Sequence, residues 1–185
     1  MLSAELINTQ IEQDSLGWTG QLRGDGLLLT LGSPLQPLKK RPTQVIDLAD
    51  QASIDDLYEE PVTNWENYEI APGEMLLASI EQPLRLGTAL MGMIGGLSHL
   101  ARIGLFVHVS SPFVLPGWSG HITLELVNTS PASLLLHHSM PIARLLIFAV
   151  DGHRPRDIAS HPFYGRKTDL RSRYADEFST NANQR

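Results

Sequence analysis

Three polar residues stand at spacings that could serve chemistry: Ser98, Arg102 and Glu125. Ser98 and Arg102 lie four positions apart in "GGLSHLARIGLFVHV", so on a helical turn they share one face. A hydroxyl and a guanidinium on one face can clamp a polar ligand. Glu125 lies in the middle of "PGWSGHITLELVN", and a carboxylate held there in a pocket could move a proton.

Each of these features also has an ordinary explanation. Alternation along the second stretch predicts that Ile122, Leu124 and Leu126 face one side of a strand and that Glu125 faces the other. The exposed face of a half-buried strand often carries a solvated charge, although Glu is a poor β-former. The Ser and the Arg can likewise be surface residues of a connecting helix. Taken alone, the two stretches leave both interpretations open.

The elements that would position these residues are mostly short strands. Apolar runs bounded by Pro, Gly, Ser or Asn follow one another closely: "GDGLLLTLGSPL", "NYEIAP", "EMLLASIEQPLRL", "GLFVHVSSPFVL", "HITLELVNTS", "SLLLHH" and "IARLLIFAV". No long helix separates them, which predicts an all-β sandwich or barrel with a few short helices. One helix is predicted at residues 3–12, capped by Ser3, with an apolar side of Leu6, Ile7 and Ile11.

The composition is that of an ordinary soluble protein. The 185 residues suffice for one domain, with 42% hydrophobic and 18% charged residues. A net charge of −6 gives no sign of a nucleic-acid-binding protein. No run approaches the roughly 18 apolar residues of a membrane-spanning helix, and the N-terminus lacks the pattern of a signal peptide. We expect a cytoplasmic protein with neither nucleic acid nor membrane as a partner.

The absence of cysteine excludes several kinds of site. A chain with no Cys has no disulfide, no thiolate nucleophile and no Cys-ligated zinc. Zinc-dependent nucleobase deaminases need a P-C-x-x-C element, so this chain is not one of them. Seven His remain, but no H-E-x-x-H occurs, and His137 and His138 would point to opposite sides of a strand. No residue is therefore predicted to bind a metal.

Two segments are biased in charge. Residues 47–60 carry six carboxylates and no Lys or Arg, which predicts a solvated excursion with room for a helical turn. Residues 151–185 hold seven of the 14 Lys and Arg and five of the 20 Asp and Glu, so they carry about +2 against about −8 elsewhere. Four aromatic residues are interleaved with these charges: Phe163, Tyr164, Tyr174 and Phe178. This tail is either a flexible polar terminus or a flap that closes over an anionic ligand.

The two stretches with the chemical residues resemble the signature of the metal-independent dCTP deaminases, within the trimeric dUTPase-like superfamily. Those proteins typically carry G-R-S-S-L-A-R-x-G-L, then H-V, then I-D-P-G-W-x-G and a strand ending in L-E-L-x-N. This chain has "SHLARIGLFVHV" and then "LPGWSGHITLELVN". "MLSAELINTQI" and "YEIAPGEMLLASIEQPLRL" resemble further family motifs. The similarity covers most of residues 1–150, which we predict to be one dUTPase-like β-barrel domain followed by the polar tail 151–185.

The resemblance implies a distorted β-barrel or jelly roll that assembles as a homotrimer with active sites between subunits. The implied activity is hydrolytic deamination of dCTP to dUTP and ammonia, with Mg²⁺ carried by the triphosphate and no zinc. By position, Glu125 matches the general base, Arg102 the residue that holds the water and the Glu in register, and Ser98 a residue near the phosphates. Such a Glu should be shielded from bulk water, with its pKa raised toward neutrality.

The resemblance also implies contacts with the substrate. Ser98 would contact the nucleotide, and the backbone around Ser110 and Ser111 matches the segment whose carbonyl positions the water. Tyr174 is the candidate of the C-terminal flap. His108 stands at the family's H-V position, where we expect an internal hydrogen bond and no catalytic role.

Four positions depart from the family pattern. Leu97 replaces the Arg of G-R-S-S and His99 its second Ser, so one guanidinium and one hydroxyl are missing on the phosphate side. Leu115 and Leu28 stand where the family has Asp. When protonated, His99 could supply part of the lost contact, which makes it a candidate for binding the substrate.

Because of these departures, two other functions stay open. One is a non-catalytic or altered-substrate relative that binds a nucleotide or only assembles as a trimer. The other is a dUTPase or a bifunctional deaminase–dUTPase, which Leu115 disfavours because phosphoanhydride hydrolysis relies on an Asp in that region. The joint presence of Ser98, Arg102 and Glu125 favours the deaminase.

Overall fold

The computed structural model describes residues 1–39, 45–151 and 169–176. Over these ranges the chain is mostly β with a few short helices, as the short apolar runs predicted. The elements in chain order are α1 (Ala4–Glu12), β1 (Leu16–Gly17), β2 (Leu27–Pro37), α2 (Gln51–Asp55), β3 (Asn67–Ile70), β4 (Met75–Ile80), β5 (Leu84–Leu86), β6 (Leu90–Gly96), α3 (Ser98–Arg102), β7 (Leu105–Phe106), β8 (Phe113–Val114), β9 (Ser119–Gly120), β10 (Thr123–Asn128), β11 (Leu134–His137) and β12 (Pro141–Ala149).

A seven-stranded antiparallel sheet organises the fold. Its strand order is β7-β10-β4-β2-β12-β6-β8, and it curls into half a barrel. Two smaller sheets, β1-β5-β9 and β11-β3, complete the described strands. The predicted all-β class is therefore confirmed. The strand that carries Glu125, β10, lies one place from the edge of the large sheet, between β7 and β4.

The longest strand, β2, runs through the apolar core. Its residues Leu27, Leu29 and Leu31 are fully buried, and β2 pairs with β12 along its first half and with β4 along its second. The pairing with β4 shifts register after Leu31, where a Cβ on Gly32 would come within 2.6 Å of the Cα of Glu81. Only glycine allows this close approach, which lets one strand belong to both halves of the sheet.

The N-terminal helix begins as predicted, but its apolar side is narrower. The Ser3 hydroxyl accepts a hydrogen bond from the backbone N–H of Leu6, which caps α1. Ile7 is fully buried and Ile11 packs against the core, whereas the Leu6 side chain is 49% exposed. The prediction that Leu6 faces the core was wrong, because the core side of α1 is formed by Ile7 and Ile11, which lie four positions apart on one face of the helix.

Two strand predictions need correction. The stretch "GLFVHVSSPFVL" is not one extended run, because only β7 and β8 at its ends pair and residues 107–112 form a connecting loop. The strand β6 was missed because its inward positions include Gly92, which carries no apolar side chain. A Cβ on Gly92 would meet the Leu145 side chain at 2.8 Å, so the neighbouring strand fills the space instead.

Candidate active site

Glu125 lies on the face of β10 opposite the core. Leu124 and Leu126 are fully buried on the core side, as their alternation predicted. On the other face Glu125 pairs across the ladder with Leu77 of β4. Its side chain is 27% exposed, so it is half-buried and does not project into open solvent. This face of the sheet is the wall of a cavity.

The cavity has a volume of about 540 Å³, within the range of small-molecule sites. Most of its lining is apolar, and the residues that line it are Tyr58, Met75, Leu77, Ile94, His108, Ser111, Phe113, Val114, Leu115, Trp118, Ile122, Thr123, Glu125, Leu170 and Ser172. The carboxylate of Glu125 and the imidazole of His108 meet within this apolar surrounding. That combination is typical of sites that bind a small ring and transfer a proton.

His108 is the direct partner of Glu125. Its Nδ1 lies 2.8 Å from Oε2 of the carboxylate, while its Nε2 donates a hydrogen bond to the carbonyl of Ser111 at 2.7 Å. The buried Nδ1 makes no well-aligned hydrogen bond, so its contact with Glu125 is a close charge contact. With Nε2 carrying a proton for Ser111, a proton on Nδ1 makes the ring an imidazolium next to a carboxylate.

This contact sets the protonation state of Glu125. Burial alone would raise the pKa of Glu125, but the contact with His108 and the backbone N–H of Val109, which donates to Oε2 at 3.3 Å, together lower it. The expected rise toward neutrality is therefore not observed. Conversely, Glu125 raises the pKa of His108 against the opposing effect of burial, and the carbonyl of Ser111 adds to the rise. At neutral pH Glu125 is a carboxylate.

The loop 107–112 brings the predicted serines to the site through their backbone. The Ser111 carbonyl holds His108, and Ser111 lines the cavity. The side chains of Ser110 and Ser111 are exposed. The structure thus places this segment beside Glu125, with its backbone turned toward the site.

The helix α3 does not reach the cavity within one chain. Ser98, His99 and Arg102 are exposed on α3 and are absent from the cavity lining. Leu97 occupies the N-cap position without a side-chain hydrogen bond. The expected roles require Ser98 and Arg102 to lie beside Glu125. Within a single chain they do not.

Of the other predicted positions, one lines the cavity and others do not. Leu115 lines the cavity, so the Asp expected there is replaced by an apolar wall. Leu28 lies on β2 opposite Arg144, away from the cavity lining. Tyr174 is exposed and does not line the cavity, although Leu170 and Ser172 of the same segment do. Phe163, Tyr164 and Phe178 lie outside the described residues.

His108 is the site residue that sequence reasoning missed. We expected it to make an internal hydrogen bond, which it does with Ser111, but its other nitrogen contacts Glu125. The register between β7 and β10 is what indicates the contact between His108 and Glu125. Phe106 pairs with Val127, and continuing two residues along both strands of this antiparallel ladder places 108 opposite 125.

No three His, Asp or Glu side chains converge on a possible metal position within residues 1–39, 45–151 and 169–176. These residues therefore offer no ready cage for a metal ion. The helices among them are also too short or too polar to cross a membrane.

Comparison with known proteins shows which family the chain matches. The model of the dCTP deaminase-like family matches residues 1–150. A protein of Salinispora tropica named "dCTP deaminase, dUMP-forming" is 39% identical over 102 residues, which cover 55% of this chain and 50% of the relative. A protein of Psychromonas ingrahamii named "dCTP deaminase" is 33% identical over 131 residues, covering 67% of this chain and 68% of the relative.

The fold agrees with these similarities. The 2'-deoxycytidine 5'-triphosphate deaminase from Agrobacterium tumefaciens superposes with a TM-score of 0.58 at 17% identity, covering 79% of this chain and 47% of that chain. At this identity the match supports the dUTPase-like fold alone. A second protein named "dCTP deaminase, dUMP-forming", from Salinispora arenicola, is 42% identical over 83 residues, which cover 45% of this chain and 43% of the relative. The chain therefore spans about half the length of the two Salinispora relatives.

Proposed function

Because this chain belongs to the dCTP deaminase-like family, we propose that it deaminates dCTP, or a close cytosine nucleotide, by hydrolysis. The observation that carries the proposal is the ionised Glu125 in a half-buried cavity of about 540 Å³, paired with His108. The names of the relatives agree with this substrate. The predicted product dUTP and the absence of zinc from the chemistry are parts of the same proposal.

In the proposed reaction Glu125 is the general base. Its carboxylate takes a proton from a water molecule as the water oxygen bonds to C4 of the cytosine ring. This proton passes from Glu125 to N3, which keeps it. A second proton moves from the new C4 hydroxyl, through Glu125, to the amino group, and the C4–N4 bond breaks, so that ammonia leaves as the C4 carbonyl forms. One water is consumed for each uracil ring and ammonia formed. The lowered pKa keeps Glu125 ionised at neutral pH, so the carboxylate can accept a proton, but it also makes Glu125 a weaker base than one whose pKa lies near neutrality.

We propose that His108 positions Glu125. The imidazole is fixed by the Ser111 carbonyl on one side and lies against Oε2 on the other, so it restricts the rotation of the carboxylate. The same contact keeps the carboxylate ionised in an apolar surrounding, where burial would otherwise favour its protonated form.

The remaining polar groups would come from a neighbouring subunit of a homotrimer. The side chains of Ser98 and Arg102 are exposed and make no hydrogen bond or ion pair with other described residues, and exposed Ile103, Phe106 and Phe113 follow them in the sequence. Exposed apolar side chains, together with a guanidinium that has no partner among the described residues, are typical of a subunit interface. In this arrangement α3 of one subunit supplies the hydroxyl and guanidinium to the cavity of the next.

We propose that Mg²⁺ enters on the triphosphate of the nucleotide. The described residues form no acidic cluster that fits a metal, and the donors that suit Mg²⁺ are phosphate oxygens and water. When bound, the ion would neutralise phosphate charge. The work of this chain is to bind the nucleotide and to hold the base.

A dUMP-forming activity is the second candidate, because the two Salinispora relatives carry that name. It requires hydrolysis of a phosphoanhydride bond in addition to deamination. Leu115, which lines the cavity where the family pattern has Asp, speaks against it.

The test is to incubate the purified full chain with dCTP, CTP, dCMP or dUTP in the presence of Mg²⁺, and to follow ammonia and pyrophosphate separately. Ammonia without pyrophosphate from dCTP supports a dUTP-forming deaminase. Both products from dCTP would establish the dUMP-forming alternative. Neither product from any nucleotide, from a folded protein, would contradict the proposed deaminase.

A further inference from the structure

The acidic segment of residues 47–60 contacts the described part of the basic C-terminal tail. Residues 169–176, the described part of the basic tail, lie against the acidic segment that contains α2. Asp50 caps α2 by accepting a hydrogen bond from the N–H of Ala52, and the helical turn expected within residues 47–60 is present. We call residues 169–176 the C-terminal strap.

The backbone of the strap is tied to this segment at one residue. Its Ser172 N–H donates to Oη of Tyr58 at 3.1 Å, and Nε2 of Gln51 donates to the Ser172 carbonyl at 2.8 Å. On either side Leu170 is 6% exposed and Ala175 is 3% exposed. Two buried apolar side chains and two backbone hydrogen bonds fix the path of a short segment that has little regular structure of its own.

Charged groups add a cluster across the contact. Within the strap, Asp169 accepts from Nε of Arg171 at 3.0 Å and from Nη2 of Arg173 at 2.6 Å. From α2, the Asp55 carboxylate lies 3.7 Å from Arg171 and 3.9 Å from Arg173. Among the described residues, Asp55 supplies the ion pairs that join α2 to the strap.

The strap forms part of the cavity that holds Glu125. Leu170 and Ser172 line this cavity together with Tyr58, the acceptor of the Ser172 N–H. The contacts that hold the strap on α2 therefore also fix one wall of the candidate active site. Its two described arginines are engaged by carboxylates of the chain, so they neutralise Asp55 and Asp169.

We propose that the C-terminal strap is a fixed wall of the Glu125 cavity, anchored by Asp55, and that it determines how tightly the cavity closes on a ligand ring. Asp55 is then a positioning residue, because it acts through Arg171 and Arg173. The effect on ligand binding rests on the proposed function, whereas the anchoring of the strap does not.

The anchoring is tested by hydrogen–deuterium exchange of the full chain without nucleotide. We compare the wild type with Asp55→Asn and with a matched control, Glu60→Gln, which removes a charge from an exposed residue of the same acidic segment. Asp55→Asn should speed exchange in peptides covering 169–176 by roughly tenfold, as expected for local opening, while Glu60→Gln should not. Tyr58→Phe removes the acceptor of the Ser172 N–H and should speed exchange at that amide.

Salt provides an independent readout. The screening length falls from about 10 Å at 0.1 M salt to about 3 Å at 1 M, so exchange of the strap should quicken with salt in the wild type and change less in Asp55→Asn. A double-mutant cycle of Asp55→Asn with Arg171→Gln should be non-additive. Rapid exchange of the strap in the wild type, or equal exchange in wild type and Asp55→Asn, would overturn the proposal.

Titration with dCTP separates this proposal from the proposed function. Weaker dCTP binding by Asp55→Asn, with unchanged binding by Glu60→Gln, supports the wall. Loosening of the strap without dCTP binding by any of the proteins leaves the anchoring established and contradicts the proposed substrate. A loosened strap with unchanged dCTP affinity contradicts the role of the wall in binding.

Discussion

The imidazole of His108 and the carboxylate of Glu125 face each other with Nδ1 and Oε2 2.8 Å apart. His108 follows β7 by two residues and Glu125 lies on β10, so the contact extends the register of the β7–β10 ladder. The pair combines a raised pKa on His108 with a lowered pKa on Glu125. This relationship makes both stability and chemistry depend on pH in defined directions.

Replacing His108 should destabilise the chain in a limited pH window. The raised pKa of His108 contributes stability that is complete below its usual value of 6.5 and is lost as the pH rises through the folded value. The lowered pKa of Glu125 contributes stability that is complete above 4.5 and is lost as the pH falls through the folded value. His108→Asn should therefore lower the free energy of unfolding by about 1 kcal/mol between pH 4.5 and pH 6.5, and by less at pH 9.

Urea unfolding at pH 5.5 and pH 9, at one protein concentration, measures this difference. The matched control is His137→Asn, because His137 is exposed at the end of β11 and should have little effect at either pH. Equal destabilisation by His108→Asn at both pH values would refute the charge contact.

Restoring the Arg of the family pattern should strengthen nucleotide binding. Leu97 occupies the N-cap position before α3, where the family has Arg. A charge-assisted phosphate contact is worth about 1.5–3 kcal/mol, or roughly 10- to 100-fold in affinity. Leu97→Arg should tighten dCTP binding by that order, measured by calorimetry. Leu6→Arg adds the same charge at another exposed position and should leave affinity unchanged; equal tightening by both would show a general charge effect.

The predicted role of His99 is a contact with the phosphates of the nucleotide. A hydrogen bond to a charged group is worth about 1.5–3 kcal/mol, so His99→Gln should weaken dCTP binding by roughly tenfold or more, measured by calorimetry. Equal dCTP affinity of the wild type and His99→Gln would show that His99 does not make this contact.

Two inactive variants can test whether each active site is formed by residues of two subunits. Glu125→Gln lacks the base and Arg102→Ala lacks the guanidinium, so co-expression should rebuild intact sites where the subunits meet. In a randomly mixed trimer with sites between subunits, about a quarter of the sites receive both native residues. We expect about that fraction of wild-type ammonia release. Co-expression of Glu125→Gln with the double variant Glu125→Gln/Arg102→Ala gives no intact site and is the control; if the first mixture is equally inactive, the sites are not shared.

The sequence predicted the elements whose local pattern is strong. The strand of Glu125 was predictable because Leu124 and Leu126 alternate with polar residues, and α3 was predictable from the spacing of Ser98 and Arg102. β6 was not, because Gly92 interrupts its apolar face and the partner side chain of Leu145 fills the gap. A local sequence pattern shows only the side chains of the strand itself, whereas the space at Gly92 is filled by the side chain of Leu145 from the neighbouring strand.

Of the residues that form the site, the sequence indicated Glu125 and Ser111, whereas it indicated neither the role of His108 nor the electrostatics. The half-burial of Glu125 agreed with expectation, but the direction of its pKa did not, because that depends on His108, 17 positions away in sequence. The pairing of the acidic α2 segment with the strap is a similar case. Both segments were evident from composition, and only the fold shows that Asp55 lies beside Arg171 and Arg173.

The most direct measurement of the central claim is ammonia release from dCTP by Glu125→Gln and by the wild type. The matched control is Glu69→Gln, which alters an exposed strand Glu on β3, and circular dichroism verifies that all three proteins are folded. General-base catalysis contributes about 10²–10⁴-fold, so Glu125→Gln should lose at least about a hundredfold in rate while Glu69→Gln retains wild-type activity. A folded Glu125→Gln protein that keeps the wild-type rate would contradict the account.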